Sequence, residues 1–181
     1  LNNTAFYPTG GGQPHDTGKI DEFEIVNVEE IDGEIRHYVA DDADISTLEG
    51  VVKAEINWQR RFDHMQQHAG QHILTAAFVE LFDFPTVSFH LGTDSVTIDL
   101  QTAEVTEEQL LAAERLANEI ILENRPIETK WVTAEEAAEY PLRKALKVEG
   151  PIRLVIIPDF DYNGCGGTHP TSTGQVQAIK I

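Results

Sequence analysis

The sequence predicts an α+β fold in which a small antiparallel sheet or barrel precedes a larger mixed domain. Two observations predict this class. Short segments of alternating polar and apolar residues, separated by turn residues, occupy the first third of the chain, and after about residue 61 the hydrophobic period becomes helical. Strand-like and helix-like segments then follow one another to the end of the chain, which is typical of an α+β domain.

The first third of the chain begins with a glycine-rich segment at residues 9–14, Thr-Gly-Gly-Gly-Gln-Pro. Such a segment indicates a backbone conformation that side chains would obstruct. Three alternating segments follow, with Asp-Gly and aspartate-rich turns between them, and they predict a small antiparallel sheet or barrel. The predicted strands are 23–28, 34–39 and 51–58.

The remainder of the chain is predicted to contain three helices among its strands. Apolar residues at helical spacing predict a helix over 63–82, with Asp63 as its N-cap residue. Two capping boxes, at 106–109 and 133–136, predict the starts of the other two helices. The predicted strands are 95–100, 127–132, 152–157 and 176–181, with a glycine-rich loop over 163–169.

Length and composition restrict the class of protein. A chain of 181 residues can bury a core without disulfide or metal staples. No segment approaches the roughly 18 consecutive apolar residues of a membrane span, so none is expected. Cys165 is the single cysteine and cannot form an internal disulfide, which favours a reducing compartment, the cytoplasm. Because the chain begins at Leu1 without a methionine, we expect it to be part of a longer protein.

The net charge of −18 argues against a surface that binds nucleic acid all over, because phosphates would be repelled on average. The charges are unevenly distributed, however. Acidic residues concentrate between residues 16 and 49, whereas basic residues cluster at 60–61 and between 143 and 153. Any contact with phosphates is therefore expected at these basic clusters.

Histidine and cysteine spacing predicts a metal site. His64, His68 and His72 stand four residues apart, so on a helix they form one ridge about 12 Å long. Zinc binds nitrogen at about 2.0–2.1 Å, so one ion can use only an adjacent pair of this ridge. Cys165 and His169 are also four residues apart, in a Gly-Gly segment. With a histidine pair they supply three nitrogens and a thiolate, a set suited to Zn²⁺ rather than to Mg²⁺ or Ca²⁺.

Three segments of the chain resemble the editing domain of alanyl-tRNA synthetase and its free-standing relatives, the AlaX proteins. They are residues 3–18 (NTAFYPTGGGQPHDTG), 68–74 (HAGQHIL) and 165–174 (CGGTHPTSTG). The resemblance implies a glycine-rich β-barrel subdomain, for which we expect residues 1–58. It also implies an α+β zinc-binding editing domain shared with threonyl-tRNA synthetase, for which we expect residues 59–181. The implied activity is hydrolysis of serine, and sometimes of glycine, from mischarged alanine tRNA.

The resemblance also implies which residues form the site. The zinc ligands that it implies are His68, His72, Cys165 and His169, which leaves His64 one turn outside the set. The residues that correspond to the amino-acid pocket are Thr4, Thr9, Gly10, Gly11, Gly12 and Gln71. Gln71 stands where the synthetase pattern commonly has threonine. Candidates for proton transfer or ribose contact are His64, His90 and Gln71.

The partner implied by the resemblance is mischarged alanine tRNA. The residues predicted to contact its phosphates are Arg60, Arg61, Arg143, Lys144 and Lys147. The main alternative is a zinc-stabilised tRNA-binding module without catalysis, within a larger protein, because four protein ligands are typical of structural zinc sites. A small-molecule hydrolase that shares the fold is a further alternative. A His-Glu-x-x-His metallopeptidase is disfavoured because residue 69 is alanine.

Overall fold

A computed structural model describes residues 1, 3–40, 44–48, 50–92, 95–144 and 150–181, and it has an α+β architecture, as the sequence predicts. The strands are β1 Gly18–Ile20, β2 Phe23–Ile31, β3 Glu34–Val39, β4 Ala54–Ile56, β5 Thr86–Leu91, β6 Val96–Leu100, β7 Glu128–Val132, β8 Ile152–Ile157 and β9 Asp161–Gly164. The helices are α1 Trp58–Phe82, α2 Glu107–Leu122 and α3 Ala134–Ala137, with short 3₁₀ helices at Ile45–Thr47 and Thr173–Val176.

The chain divides into two compact units, Leu1–His64 and Met65–Ile181. The division falls within α1. The predicted boundary between residues 58 and 59 stays a prediction. Among the described residues, no helix combines the length and apolar character needed to cross a bilayer.

The first unit is built on an antiparallel sheet with the strand order β3-β2-β1-β4. The predicted strands at 23–28 and 34–39 are confirmed as parts of β2 and β3, while the short β1 was not predicted. The buried core of the unit combines Ile20, Ile25 and Val28 of this sheet with Phe6 from the segment that precedes it. Closure of the sheet into a barrel stays a prediction.

Two sequence-based boundaries near the start of α1 are wrong. The third predicted strand, 51–58, is reduced to β4, and α1 begins at Trp58 rather than after Asp63. The physical reason is Asn57, whose side-chain oxygen accepts a hydrogen bond of 3.1 Å from the backbone N–H of Arg60. Asn57 therefore acts as the helix N-cap, six residues before the predicted N-cap residue Asp63.

A buried ion pair ties the glycine-rich segment of this unit to the first turns of α1. Asp16 is fully buried and accepts hydrogen bonds from the backbone N–H of Tyr7 at 2.8 Å and from Nε of Arg61 at 3.0 Å. The Arg61 guanidinium also donates to the carbonyl of Ala5 at 2.8 Å. Removing one member of such a pair leaves the other charged and buried, which is strongly destabilising.

The second unit has a three-stranded antiparallel sheet in the order β7-β8-β9, with β5 and β6 as a separate hairpin. One face of β8 carries Val155 and Ile157, which pack in the main core with apolar side chains of α1 and α2. The opposite face carries Ile152, Leu154 and Ile156, which form a smaller core. The sheet therefore separates two apolar layers, and α1 lies on the Val155 side.

Both predicted capping boxes are confirmed. Thr106 and Gln109 exchange side chain–backbone hydrogen bonds at the start of α2, and Thr133 and Glu136 do the same at the start of α3. These motifs were predictable because each acts within a single turn of helix.

The predicted strand 176–181 is wrong. A short 3₁₀ helix ends at Val176, and the residues that follow are not part of a strand. The backbone of Ile179 pairs with a side chain instead, since its N–H donates to Asn118 at 2.9 Å and its carbonyl accepts from Asn118 at 2.8 Å. An alternating pattern fits any half-buried extended segment, so it does not distinguish this arrangement from a strand.

We expect Asp16→Ala to lower the free energy of unfolding by about 3 kcal/mol, because Arg61 loses its buried carboxylate partner. Urea unfolding followed by circular dichroism measures the change. Lys53→Ala is the control: it removes an exposed pair with Glu55 and should cost less than about 1 kcal/mol. Equal losses in the two variants would contradict a special role for the buried pair.

Candidate metal centre

Four side chains of the second unit converge in what we call the His/Cys cluster: His68, His72, Cys165 and His169. Their candidate ligand atoms all lie within 4.8 Å of one another. His68 and His72 are buried one turn apart on α1, while Cys165 and His169 are half-buried in the segment that follows β9. The set that the family resemblance implies is therefore brought together from segments almost 100 positions apart.

The segment that carries Cys165 is fixed by the neighbouring strand. The N–H of Cys165 donates to the carbonyl of Arg153 at 3.0 Å, which continues the β8–β9 ladder by one residue. One guanidinium nitrogen of Arg153 donates to the carbonyls of Cys165 and Gly167, both at 2.8 Å. Arg153 thus holds the turn in place through its backbone and its side chain.

The Gly-Gly sequence of this turn has a steric cause. A Cβ atom at Gly167 would lie 2.2 Å from Cε1 and 2.4 Å from Nδ1 of His68, so only glycine lets the turn approach this ring. A Cβ atom at Gly166 would meet nothing within 4 Å. The first glycine is therefore sterically replaceable, and the second sets the spacing between the turn and α1.

The cluster has dimensions compatible with a zinc ion. Sγ of Cys165 lies 3.3 Å from Nε2 of His68 and 3.8 Å from Nε2 of His169. In a tetrahedral zinc site the sulfur and nitrogen ligands are about 3.6 Å apart, given Zn–S and Zn–N bonds of about 2.3 and 2.05 Å. The two observed distances lie on either side of that value. One sulfur and three nitrogens are also donors that zinc prefers, so the residues fit such an ion.

The electrostatic surroundings of Cys165 and His169 favour the protonation states in which these two side chains bind metals. Burial raises the pKa of the Cys165 thiol, but hydrogen bonds from His169, His68 and His72 outweigh burial and lower the pKa far below its usual range. Burial lowers the pKa of His169 to about 4, despite its hydrogen bond with Cys165. Cys165 is therefore a thiolate and His169 a neutral imidazole, which are the metal-binding forms of these side chains.

A buried carboxylate orients one of the histidines. Oδ2 of Asp161 lies 3.1 Å from Nδ1 of His72, and both side chains are 2% exposed. Nε of Arg143 lies 3.1 Å from the other carboxylate oxygen. Burial lowers the pKa of His72, but the bonds with Asp161 and Cys165 outweigh it and raise the pKa to about 9. With this pKa the metal-free His72 ring carries a proton on both nitrogens at neutral pH, so a metal ion would displace the Nε2 proton while Nδ1 keeps its hydrogen bond with Asp161.

Asp161 was not predicted as a site residue, because no strand was predicted between residue 157 and the glycine-rich loop that begins at residue 163. In β9, residues 161 and 163 point to the same face of the sheet, and residue 165 continues this alternation. A strand prediction for this segment would have placed Asp161 on the face of Cys165. Arg143 was predicted to contact phosphate, but the structure pairs it with Asp161.

Two further candidate residues, Gln71 and His90, differ in their burial. Gln71 is buried, and its amide donates to Thr75 at 2.8 Å, which in turn shares a hydrogen bond of 2.8 Å with Thr86. Gln71 therefore belongs to a buried polar chain beside the helical histidines. His90 is exposed on β5, on the face opposite Phe89, whose ring lies 5.3 Å from the ring of His68. The roles proposed for both residues stay predictions.

The candidate pocket residues of the glycine-rich segment lie in the first unit. Oγ1 of Thr4 is 2.7 Å from Nε2 of His37, and Oγ1 of Thr9 is 3.1 Å from Nδ1 of His15. Gly10 pairs with Gln13 across a tight turn in which Gly11 and Gly12 have φ angles of 56° and 78°. Two successive positive φ angles define a turn that favours glycine. The substrate-binding role of these residues stays a prediction.

His64 also lies in the first unit, where it is buried and its Nδ1 atom has no hydrogen-bond partner among the described residues. Burial, and next the charge of Arg60, lower the pKa of His64. The side chain is therefore neutral at physiological pH. Its proposed part in proton transfer stays a prediction.

Two of the five predicted phosphate contacts are engaged inside the fold. Arg61 is paired with Asp16, and Arg143 with Asp161. Nε of Arg60 donates to a backbone carbonyl at 3.0 Å, whereas Lys144 is exposed. Lys147 lies outside the described residues. Among the described members of the five predicted phosphate contacts, Lys144 and Arg60 are therefore the ones that remain available to a phosphate.

The α+β fold with its His/Cys cluster defines a class of domain with a candidate metal centre, and sequence comparisons show which proteins it is similar to. The family described as the threonyl and alanyl tRNA synthetase second additional domain matches residues 152–181. This match covers β8, β9, Cys165 and His169. The carboxyl-terminal part of the chain is therefore similar to a domain described for threonyl and alanyl tRNA synthetases.

Curated relatives match the whole chain. The alanyl-tRNA editing protein Aarsd1-A of Xenopus laevis is 40% identical over 185 residues, which cover 100% of this chain and 44% of that protein. Aarsd1 of Bos taurus is 36% identical, with 100% and 41% covered. The alanine–tRNA ligase of Pyrococcus furiosus is 36% identical, with 100% and 21% covered. The chain is AlaX-like over its full length, which confirms the predicted resemblance, and it spans less than half the length of these relatives.

The two glycines of the turn offer a matched pair of substitutions. We expect Gly167→Ala to lower the free energy of unfolding by about 1–3 kcal/mol, because the new methyl group overlaps the His68 ring. Gly166→Ala should change it by less than about 0.5 kcal/mol, since its methyl group enters open space. Chemical denaturation of both variants measures the difference. Equal stabilities would show that the close approach to His68 is not a constraint.

Proposed function

We propose that this chain hydrolyses the ester bond of mischarged alanine tRNA, releasing serine, and also glycine, at a zinc ion held by the His/Cys cluster. The observation that carries the proposal is the convergence of one thiolate and three imidazoles in a chain whose full length is similar to alanyl-tRNA editing proteins. The similarity to an alanine–tRNA ligase supports the same substrate class. The chain covers less than half of the length of these relatives. The proposed activity is therefore that of the present chain and not of the longer proteins.

Zinc is the metal proposed for the cluster because of its donors. In the proposed site, Nε2 of His68, Nε2 of His72, Sγ of Cys165 and Nε2 of His169 hold the ion. A zinc ion there would polarise the ester carbonyl or lower the pKa of a bound water, and either role requires a fifth coordination position or the release of one of the four ligands. Asp161 fixes the orientation and tautomer of His72, and Arg143 neutralises the buried carboxylate. Arg153 and Gly167 hold the Cys165 turn against His68.

Selection of the amino acid is proposed to use hydroxyl and amide groups. A pocket built to hydrogen-bond the serine hydroxyl disfavours alanine and glycine alike, because polar groups would then be left unpaired, so glycine is the poorer of the two proposed substrates. Gln71 is the proposed partner in the second unit, while the pocket role of Thr4 and Thr9 in the first unit stays a prediction from the resemblance. Gln71 is already bonded to Thr75, so a serine hydroxyl would have to share or replace this bond.

The proposed substrate is tested by the release of free amino acid from seryl-, glycyl- and alanyl-tRNA with the alanine anticodon. We expect release of serine and glycine, and retention of alanine. Cys165→Ala removes the thiolate and should reduce both the zinc content and the rate of serine release, the latter by about 100-fold or more. Zinc content is measured by elemental analysis of the same preparations.

Two outcomes would contradict parts of this proposal. Full turnover by a zinc-free Cys165→Ala protein would remove zinc from the reaction. A wild-type chain that binds both zinc and tRNA but releases no amino acid would identify a binding module rather than a hydrolase.

The proposed role of Asp161 is tested by zinc affinity rather than by activity. We expect Asp161→Asn to weaken zinc binding by about 10- to 100-fold, because His72 loses the charged partner that orients it. Competition with a chromophoric chelator measures the affinity. Glu114→Gln is a matched control, since Glu114 pairs with Lys180 in the same unit, outside the cluster. A folded Asp161→Asn variant with unchanged zinc affinity would contradict the proposed role.

A further inference from the structure

An exposed tryptophan lies in line with the His/Cys cluster across the sheet of the second unit. Trp131 on β7 is directly opposite Arg153 on β8, and Cys165 is bonded to Arg153 from the other side. Residues directly opposite one another in neighbouring strands point to the same face. Trp131, Arg153 and Cys165 therefore form one row on one face, with Arg153 in the middle.

This face is the one on which the cluster lies. Val155 follows Arg153 by two residues, so it shares the face, and it packs in the core that includes α1 residues. Helix α1 carries His68 and His72. Neighbouring strands are about 4.8 Å apart, so the backbones of Trp131 and Cys165 are separated by about 10 Å. One nucleoside with an aminoacyl group attached spans a distance of this order.

Trp131 is not needed by the core of the unit. Its side chain is 67% exposed, and among the residues that the structure describes its indole makes no ring contact. The other tryptophan, Trp58, is 58% exposed but stacks on Phe62, with ring centroids 5.9 Å apart at 26°. Within the described part of the chain, Trp131 thus presents an aromatic surface that no other ring contacts.

The residue between Trp131 and Cys165 in this row, Arg153, is positively charged. Both hydrogen bonds of the Arg153 guanidinium use the same terminal nitrogen, which donates to the carbonyls of Cys165 and Gly167. An exposed aromatic ring next to a cation is the combination that binds unpaired nucleotides, because the ring stacks on the base and the cation attracts the phosphate. In a chain of net charge −18, stacking also has the advantage that it needs no positive surface.

We propose that Trp131 is the stacking platform for the unpaired terminal base of the aminoacylated strand, and that Arg153 attracts the adjoining phosphate. The proposal rests on the proposed function, since it assigns a subsite to the same substrate. It orients the strand: the base lies at the β7 edge, and the ester reaches across β8 to the cluster. The ligand class is an aminoacylated nucleoside at the end of a single strand.

Fluorescence with single-tryptophan variants tests this subsite directly. Trp58→Phe leaves Trp131 as the only tryptophan, and Trp131→Phe leaves only Trp58. The probe is an adenosine whose 3′-amino group carries serine through an amide bond, which resists hydrolysis. We expect the probe to quench the first variant and to leave the second unchanged. Equal quenching of both variants, or quenching by serinamide without the nucleoside, would overturn the proposal.

Kinetics on seryl-tRNA provide the second test. Trp131→Ala should raise KM by roughly 10- to 100-fold with little change in kcat, because stacking binds substrate and transition state alike. Trp131→Phe should recover most of the loss, and Trp58→Ala should behave as wild type. Unchanged zinc content in each variant shows that the cluster is retained. An unaltered KM in an active, zinc-loaded Trp131→Ala variant would overturn the proposal.

The two proposals can fail separately. If the wild-type chain releases no amino acid, the proposed function fails, while probe quenching still tests the nucleoside subsite. If Trp131 instead packs against a second copy of the chain, the fluorescence of the Trp58→Phe variant will change with protein concentration in the absence of probe. That result, combined with no response to the probe, would overturn the stacking role.

Discussion

The burial of a thiolate among three imidazoles is the constraint on which the second unit depends. A thiolate is costly to bury unless cations or hydrogen-bond donors surround it, and the rings of His68, His72 and His169 provide this environment for Cys165. Two of these rings come from α1, and the other two groups follow β9. Helix α1 and the segment after β9 must therefore come into contact at the cluster. The surrounding core holds them in that position.

Four residues around the His/Cys cluster fix the positions of its candidate ligands. Asp161 and Arg143 fix the ring of His72, whereas Arg153 and Gly167 fix the turn that carries Cys165. The strand β9 contributes twice, because Asp161 is on it and Cys165 follows it directly. A small shift of β9 would move Cys165 and Asp161 together. The register of β9 with β8 therefore determines the positions of a candidate ligand and of the carboxylate that orients His72.

The distribution of charge is compatible with the RNA substrate proposed for this acidic chain. Arg61 and Arg143 are engaged with buried carboxylates, so they contribute little positive surface. Recognition by aromatic stacking and by a few cations close to the site depends less on net charge than recognition by a broad basic surface. The row from Trp131 through Arg153 to Cys165 combines both features on one sheet face.

The sequence by itself determined the features that act within one turn or one motif. The helix caps at Thr106 and Thr133 follow from local patterns, and the identity of the cluster follows from the motif around His68 and from the motif around Cys165. Local patterns do not contain the register between strands or the partners of backbone groups from distant segments. Only the tertiary structure therefore brought Asp161 to His72 and aligned Trp131 with Cys165. In the tertiary structure the backbone of Ile179 also pairs with the side chain of Asn118, where a strand was predicted. Contacts between distant segments decide which hydrogen bonds an extended segment makes.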